Sequence, residues 1–276
     1  MFEIPEVVNF ARQMNATLKG KTIRTGHLGN SSHKFVWYNR TPQEFEQITC
    51  GKIIAETRTM GRWLLIEVEP NYVLVFGEWG GRILFHQPGS SLPAKYHLHL
   101  QFDDDTFLTA TTQMWGAAEL YVKSKELERQ YIKDMKTTPI EPDFSFAYFS
   151  NLIDSTAKEK KQSVKGLLTQ DQTIPGLGNA IAQDIMYRAG LNPRHDIQTL
   201  QEPERKALYQ AIKDTINECI QKGGRNDEFD LFDQPGGYVR IMDKHAVGKP
   251  CRQCETPIEK AQYLGGAIYF CPTCQK

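Results

Sequence analysis

Two Cys-x-x-Cys pairs near the end of the chain carry the most specific chemical signal. Cys251 and Cys254 form the first pair, and Cys271 and Cys274 form the second. Each pair supplies two thiolates from a tight turn, and two facing pairs complete the tetrahedral shell that zinc prefers. Residues 263–266, Tyr-Leu-Gly-Gly, suit a hairpin turn midway between them. The spacing predicts a zinc ribbon or β-hairpin finger with one structural zinc ion. Two disulfides or two redox-active pairs are the alternative.

A Gly-x-Gly turn between two predicted helices is a candidate phosphate site. Gly176 and Gly178 let the backbone approach an anion closely, and the next helix presents its amide groups there. Asn179 suits either a helix cap or a hydrogen bond to phosphate, and Lys165 adds a positive charge. A plain helical corner is the alternative.

The glycine-rich segment 223–238 precedes the cysteine pairs. Long loops in compact chains are usually functional or disordered. Arg225 and Lys222 suit contact with a polyanion or a flipped base, and a solvated loop explains them equally well.

The elements that must position these residues follow from periodicity. The start of the chain predicts a helix, with Pro5 in its first turn and Gly20 at its end. Glu6 suits the positive end of that helix dipole, which is a structural explanation for this carboxylate. Many short β segments follow, separated by Gly, Asn and Asp turns, and they predict a β-sandwich or barrel. The candidate strands are 21–25, 34–38, 53–59, 64–68, 72–76, 82–85, 96–102, 106–110 and 118–122.

A change to helical periodicity follows a linker at 137–143. The candidate helices are 144–153, 161–169, 180–189 and 203–221. The predicted fold class is α+β, with an N-terminal helix and β-sandwich domain, a helical domain and a C-terminal zinc-finger hairpin. The predicted segments are 1–136, 143–222, a connection at 223–248, and 249–276.

Composition narrows the classes of function. The 276 residues include 33 basic and 33 acidic side chains, so any nucleic-acid site must be a local cluster rather than a global field. No apolar run or leader predicts a membrane contact. Only Cys50 and Cys219 lie outside the two pairs, which favours a reducing, cytoplasmic location. Residues 103–105, Asp-Asp-Asp, predict a solvated turn, and the seven histidines predict structural roles, with a zinc or catalytic pair at His97 and His99 as the alternative.

Three motifs together resemble the formamidopyrimidine-DNA glycosylase/endonuclease VIII family over the whole chain. Residues 3–6, Glu-Ile-Pro-Glu, are similar to the family's Pro-Glu-Leu-Pro-Glu start. The run 170–179, followed by Asp184, resembles its helix–two-turn–helix element. Residues 248–251, 258–260 and 270–275 resemble its zinc finger.

The resemblance implies repair of oxidised bases in duplex DNA by a monomeric enzyme. Members of the family flip the base out, attack the sugar C1′ with the terminal amine, and nick the strand by elimination. We therefore expect damaged or abasic duplex DNA to bind between the β and helical domains. Lys165, Asn179 and the 176–178 backbone would contact phosphates, and Trp115 would fill the base stack.

The chain departs from the family pattern at several positions. Phe2 stands at the family's terminal proline, Arg62 at its β-domain lysine, and Gly266 at its finger arginine. The family's Arg-Arg-Phe-Gly wedge matches residues 113–116, so Trp115 keeps the aromatic ring while the arginines are lost. The family residues that remain are Glu3, Glu6, Lys165, Asn179 and the four cysteines.

The departure at Phe2 decides which amine could act. A bulky second residue disfavours removal of the initiator methionine, so we expect Met1 to remain and its amine to be the nucleophile. If Phe2 were exposed instead, its amine would fall in the family's register. In both cases Glu3 would act as acid/base toward the sugar, whereas the guanidinium of Arg62 stays protonated and cannot be the nucleophile.

Two functions fit these features. The first is a DNA glycosylase and abasic-site lyase with an altered terminal-amine nucleophile, which retention of Glu3 favours. The second is a non-catalytic DNA-binding or damage-sensing protein on a glycosylase scaffold, which the residues at positions 2, 62 and 266 favour.

Overall fold

The chain folds into two compact units in a computed structural model that describes residues 1–31 and 34–276. The first unit combines Met1–Asp134 with Lys222–Gly237. The second combines Met135–Gln221 with Tyr238–Lys276. Within the described ranges, no helix has both the length and the apolar character needed to cross a membrane.

The N-terminal helix of the first unit begins where the sequence predicts it. Helix α1 spans Ile4–Thr17, and a capping box starts it, with the Glu3 amide donating to Oε2 of Glu6 at 2.9 Å. Its apolar face, which includes Phe10 and Met14, is buried in the core of the unit. This capping hydrogen bond therefore accounts for one oxygen of the Glu6 carboxylate by local structure alone.

Two sheets share that core, which confirms the predicted sandwich. One sheet has the strand order β1-β7-β8-β6 and the other has the order β2-β9-β5-β4-β3. Neighbouring strands are antiparallel except for the parallel pair β2 and β9. The strands are β1 (Ile23–Leu28), β2 (Val36–Trp37), β3 (Ile53–Met60), β4 (Trp63–Glu69), β5 (Tyr72–Gly77), β6 (Gly81–His86), β7 (Leu98–Phe102), β8 (Phe107–Thr112) and β9 (Gly116–Val122).

Helix α2, at Pro42–Thr49, lies in the region for which the sequence predicted only strands. Thr41 accepts from the Glu44 amide, and the Glu44 carboxylate accepts from the Thr41 amide. This capping box, followed directly by Pro42, is the sequence signal that predicts the helix. A short helix α3 spans Gln130–Lys133 near the end of the β region.

The second unit contains the predicted helices and the finger. The helices are α4 (Phe146–Glu159), α5 (Val164–Thr169), α6 (Asn179–Arg188) and α7 (Glu202–Gln221). Strands β10 (Glu259–Tyr263) and β11 (Gly266–Phe270) form the predicted hairpin. Leu264 and Gly265 at its turn both have positive φ, at 48° and 73°, as a tight two-residue hairpin turn requires.

The structure groups the predicted segments differently at the glycine-rich connection. Its first part belongs to the unit of α1, where the Phe85 amide donates to the Leu231 carbonyl. Its second part belongs to the helical unit, because the buried Asp184 accepts from the Tyr238 hydroxyl and from the Met242 amide. By their contacts, the helices and the finger lie in one compact unit, and residues 223–248 are divided between the two units.

Candidate functional site

The second residue of the chain is anchored in the core. The Phe2 side chain is only 3% exposed, and its ring centroid lies 4.9 Å from that of Phe10. Its amide donates to the Trp79 carbonyl at 3.0 Å. Phe2 thus serves as an apolar anchor, and the free α-amine is carried by Met1.

The Met1 amine contacts a carboxylate from the far end of the sequence. Its nitrogen lies 3.3 Å from Oε1 of Glu228, whose side chain is 15% exposed. Burial raises the pKa of Glu228, although Arg225 and the terminal ammonium oppose that shift. No pattern in the sequence points to Glu228, because its contact partner lies at residue 1 and its loop has no periodicity.

Arg225 is buried within the same cluster. Its Nε and Nη2 donate to the two carboxylate oxygens of Glu6 at 3.1 and 3.0 Å, and Nη2 also reaches the Met1 carbonyl at 3.0 Å. Nη1 lies 4.0 Å from Oε1 of Glu3, and Nη2 lies 3.3 Å from Oε1 of Glu228. Burial favours the neutral guanidine, but the carboxylates of Glu6 and Glu3 outweigh it and raise the pKa of Arg225 well above its ordinary value.

This placement corrects the expectation that Arg225 contacts a polyanion or a flipped base. The residue is 3% exposed, and its donors bind the Met1 carbonyl and three carboxylate side chains. A phosphate could reach the guanidinium only by displacing these buried partners, which would leave carboxylates desolvated and unpaired. Arg225 belongs to the support of the chain terminus instead.

Arg62 lies beside the terminal residue. Its Nη2 donates to Oε1 of Glu78 at 3.0 Å, and its Nη1 lies 3.2 Å from Sδ of Met1. Arg62 therefore contacts Met1, while Glu3 and Glu6 lie against Arg225, all within the N-terminal unit. Arg62 brings positive charge to the surroundings of the amine, although one edge of its guanidinium is already paired.

Trp115 is part of an exposed aromatic cluster that also contains Phe35 and Trp37. Trp115 is 40% exposed, and its ring stacks on Trp37 with centroids 5.2 Å apart and planes 9° from parallel. The centroid of Phe35 lies 4.6 Å from that of Trp115. Rings held in this way can stack on an unpaired base, since aromatic stacking does not depend on base identity.

In the second unit, Lys165 and Asn179, which the sequence placed at one candidate phosphate site, both contact the finger. The Lys165 Nζ donates to the carbonyls of Tyr263 and Gly266 in the finger, and Asn179 Nδ2 donates to the Ala267 carbonyl. A Cβ added to Gly266 would lie 3.6 Å from both Lys165 Nζ and Asn179 Nδ2. Lys165 is only 1% exposed, and two of its three ammonium donors bind the finger carbonyls, so its observed contacts stabilise the hairpin. Burial lowers the pKa of Lys165.

The predicted backbone site at the glycine turn is partly used within the protein. The Gly176 amide donates to the Gln172 side chain at 3.0 Å, and Gly176 has a positive φ of 86°. Gly178 is the N-cap of α6, so the amides of the first turn follow it directly. The Gly176 amide is therefore already paired within the turn.

The four cysteine sulfur atoms form a group that could hold one metal ion, at the place where the sequence predicts a zinc site. They lie within 4.8 Å of one another, with 3.9 Å between Cys251 and Cys274 and 3.5 Å between Cys254 and Cys271. Four sulfurs at about 2.3 Å from a central zinc would lie about 3.8 Å apart. The cysteines are free thiols, which excludes the disulfide alternative for this structure. The donor set fits one tetrahedral ion and provides no fifth ligand position.

The histidines and the acidic turn take structural positions. The His97 ring accepts from the Thr112 amide at 3.0 Å, and His86 contacts the Thr109 hydroxyl at 2.8 Å. Asp105 pairs with Arg24 at 2.6 Å. Apart from His33, which lies outside the described residues, no histidine joins a three-ligand metal group in the part of the chain that the structure covers.

Comparison with known proteins relates this chain to one family by its sequence and by its fold. Residues 1–114 match the family model of the formamidopyrimidine-DNA glycosylase N-terminal domain, and residues 137–229 match that of the formamidopyrimidine-DNA glycosylase H2TH domain. A formamidopyrimidine-DNA glycosylase of Listeria innocua is 27% identical over 281 residues, with both chains fully covered. One from Bacillus cereus is 25% identical over 280 residues, covering 100% of this chain and 99% of the relative.

Solved structures show the same fold. The Lactococcus lactis Fpg, in a complex with DNA that contains an abasic site, superposes with a TM-score of 0.86 over 99% of both chains at 21% identity.

Proposed function

Because the chain belongs to the formamidopyrimidine-DNA glycosylase family, we propose that it repairs damaged duplex DNA with the Met1 α-amine as nucleophile. The observation that carries this proposal is the contact of that amine with Glu228, which Arg225 joins to Glu6 and Glu3 in the N-terminal unit. A scaffold that only binds DNA has no need of a chain terminus fixed among acidic groups.

The chemistry follows from a primary amine and a neighbouring acid. The amine lone pair forms a bond to C1′ of the ring-opened sugar at an abasic site. The carbonyl oxygen leaves as water with two protons that come from the ammonium, and the product is a protonated imine. Elimination then removes a proton from C2′ to a base, forms a double bond between C2′ and C3′, and breaks the C3′–O bond, so that the 3′ phosphate leaves with the bonding electrons. Glu3, which is buried and lies 4.0 Å from the Arg225 guanidinium, would transfer protons toward the sugar.

The substrate class is duplex DNA with an abasic site or a damaged base. The Lactococcus lactis relative is described with abasic-site DNA, which supports the same class here. Lys165, Asn179 and the start of α6 would bind phosphates, and the Trp115 cluster would stack in the space of an extruded base. These contacts fix the position of the duplex without reading its sequence.

The cysteine centre would hold one structural zinc ion. Cys251, Cys254, Cys271 and Cys274 would supply all four ligands, so the ion would stabilise the finger and take no part in the reaction. The finger in turn supplies the carbonyls that orient Lys165.

The main alternative is a damage-binding protein without chemistry. One observation favours it: Phe2, at the family's nucleophile position, is buried and its amide is bonded to Trp79. If the protein is an enzyme, its amine must therefore act from Met1, one residue before the position of the family's nucleophile.

Strand-cleavage assays decide between the two functions. Duplexes with an abasic site, uracil or an oxidised base would be incubated with the protein, and the products would be separated on denaturing gels. The proposed enzyme cleaves the abasic duplex and excises bases slowly or not at all. Tight binding to every duplex with no cleavage of any of them would support the alternative.

A further inference from the structure

Arg225 and Glu228 lie on the segment Lys222–Gly237, to which no motif assigns this task. We propose that they form a terminal clamp, which holds Met1 at both its amine and its carbonyl and thereby fixes the position of the nucleophile. This inference rests on the proposed function, since it explains how a nucleophile one residue beyond the family's register is kept in place.

The clamp is a closed ring of polar contacts around one residue. Glu228 Oε1 accepts from the Met1 amine at 3.3 Å, and Arg225 Nη2 donates to the Met1 carbonyl at 3.0 Å. The same Nη2 lies 3.3 Å from Glu228 Oε1, which joins the two arms. Because Phe2 is anchored in the core, the next residue outward is held at each polar group of its backbone.

Helix α1 provides the fixed support for this ring. Glu6 in its first turn accepts from the Arg225 amide at 2.9 Å and from the guanidinium at 3.0 Å. One turn later, Asn9 donates to the Gly223 carbonyl at 3.1 Å. Gln13, one turn farther, accepts from the Leu231 amide at 3.0 Å. The loop is therefore fastened along three successive turns of the helix.

Gly224 makes this close approach feasible. Its φ is +101°, a conformation that side-chain-bearing residues rarely adopt. A Cβ at this position would lie 3.3 Å from Oε1 of Glu6, inside the space that the Arg225 contacts need. The glycine pair before Arg225 therefore serves the clamp, which gives the glycine-rich sequence a purpose that does not involve a ligand.

A fixed terminus matters because chain ends are usually mobile. The first residues of a domain are poorly ordered unless they are tied down. A nucleophile gains rate when its position is set before the reaction, and small displacements cost much of that gain. Met1 also has one more rotatable backbone unit than Phe2 would have as the terminal residue. The clamp removes that freedom.

The clamp can be tested without any activity. Purified full-length protein would be treated with formaldehyde and cyanoborohydride, and methylation of the Met1 amine would be followed by mass spectrometry of the N-terminal peptide. In Glu228→Gln the amine loses its charged partner, and we expect it to react about fivefold faster or more. Asp227→Asn, at the exposed neighbouring acid, is the matched control and should react like the wild type.

The second measurement concerns positioning. Borohydride trapping on an abasic duplex should be slower by about tenfold or more in Glu228→Gln, while the Kd for the same duplex changes by less than about twofold. Arg225→Lys keeps the positive charge but loses the planar guanidinium with its several donors. It should likewise slow trapping while changing the Kd little. The two readouts change in opposite directions, amine labelling up and DNA trapping down, which a general loss of folding does not produce.

Each outcome has a distinct meaning. Equal labelling of wild type and Glu228→Gln, or trapping by Glu228→Gln as fast as by the wild type, would overturn the clamp. Absence of any adduct with the wild type would instead overturn the proposed function, and the labelling result would still decide whether the clamp exists.

Discussion

At the scale of single residues, Phe2 is an apolar anchor in the core of the first unit. The aromatic ring contributes burial next to Phe10, and the Phe2 amide is satisfied by Trp79. Burying a Phe side chain stabilises a protein by about 1.5–3 kcal/mol. The terminus is thus held by an apolar contact on one side and by the Arg225 and Glu228 contacts on the other.

Lys165 is the residue that we expect to determine phosphate affinity. Lys165→Ala removes one ammonium, so binding should weaken equally for intact and damaged duplexes, and the salt dependence should lose about one phosphate contact. Fluorescence anisotropy over a range of salt concentrations measures both effects. Zinc content should be checked in parallel, because Lys165 also binds the finger carbonyls. A loss confined to damaged duplexes would contradict the phosphate role.

Trp115 should behave differently from Lys165. Trp115→Ala removes a stacking surface worth about 1–3 kcal/mol, and we expect the loss on abasic or damaged duplexes but much less on intact ones. Tyr131→Ala is a suitable control, since Tyr131 is an exposed aromatic side chain in α3, outside the aromatic cluster. Equal weakening of both duplex types would show that Trp115 does not fill the space of an extruded base.

At the scale of elements, the finger depends on its metal. The hairpin β10–β11 has little apolar core of its own, so folding and metal binding should be coupled. Cys254→Ser removes one of four ligands and should release zinc, expose the remaining thiols and unfold residues 249–276 locally. Metal analysis and hydrogen exchange measure this, and the N-terminal unit should keep its protection. A variant with full zinc content and a folded finger would rule out the four-thiolate site.

The four-stranded sheet should be sensitive to acid at His99. This residue pairs with His27 across β7 and β1, and burial together with the charge of His27 lowers the pKa of His99 to about 4. An unfolded histidine titrates near 6.5, so between that pH and 4 the unfolded state binds a proton that the folded state does not. Stability should therefore fall as the pH falls through this window.

His99→Phe tests that dependence. The variant should lose part of the decrease in thermal unfolding midpoint between pH 6.5 and 4, corresponding to an effect on the order of 1 kcal/mol after solvent screening. His245→Phe, at an exposed histidine of the other unit, should leave the decrease unchanged. Identical pH curves for wild type and His99→Phe would mean that His99 does not titrate differently on folding.

At the scale of the whole molecule, the periodicity of apolar residues and the spacing of turn residues predicted most of the helices and strands. The alternation of apolar residues predicted nine strands, and the structure has a strand at each place, although β2 is reduced to Val36–Trp37. Helix α2 was missed because the surrounding β pattern outweighed the capping signal at Thr41. The α+β class is confirmed, and so are its helices, its sandwich strands and its finger hairpin, because local sequence patterns determine these elements.

The parts that the sequence could not predict are contacts between distant residues. Glu228 meets the terminal amine, and Lys165 meets the finger, only after the chain has folded. For Arg225 the sequence left open a contact with a polyanion or flipped base and a place in a solvated loop, whereas the structure buries it against the carboxylates of Glu3 and Glu6. The balanced composition of 33 basic and 33 acidic residues likewise could not predict where charged side chains cluster in the fold.

The most direct test of the central claim is borohydride trapping on an abasic duplex, followed by peptide mapping of the adduct. We predict a covalent DNA adduct on the α-amine of a retained Met1, and its strong reduction in Glu3→Gln with little change in DNA affinity. No adduct, or an adduct on a lysine side chain that Glu3→Gln leaves unchanged, would contradict a Met1 nucleophile.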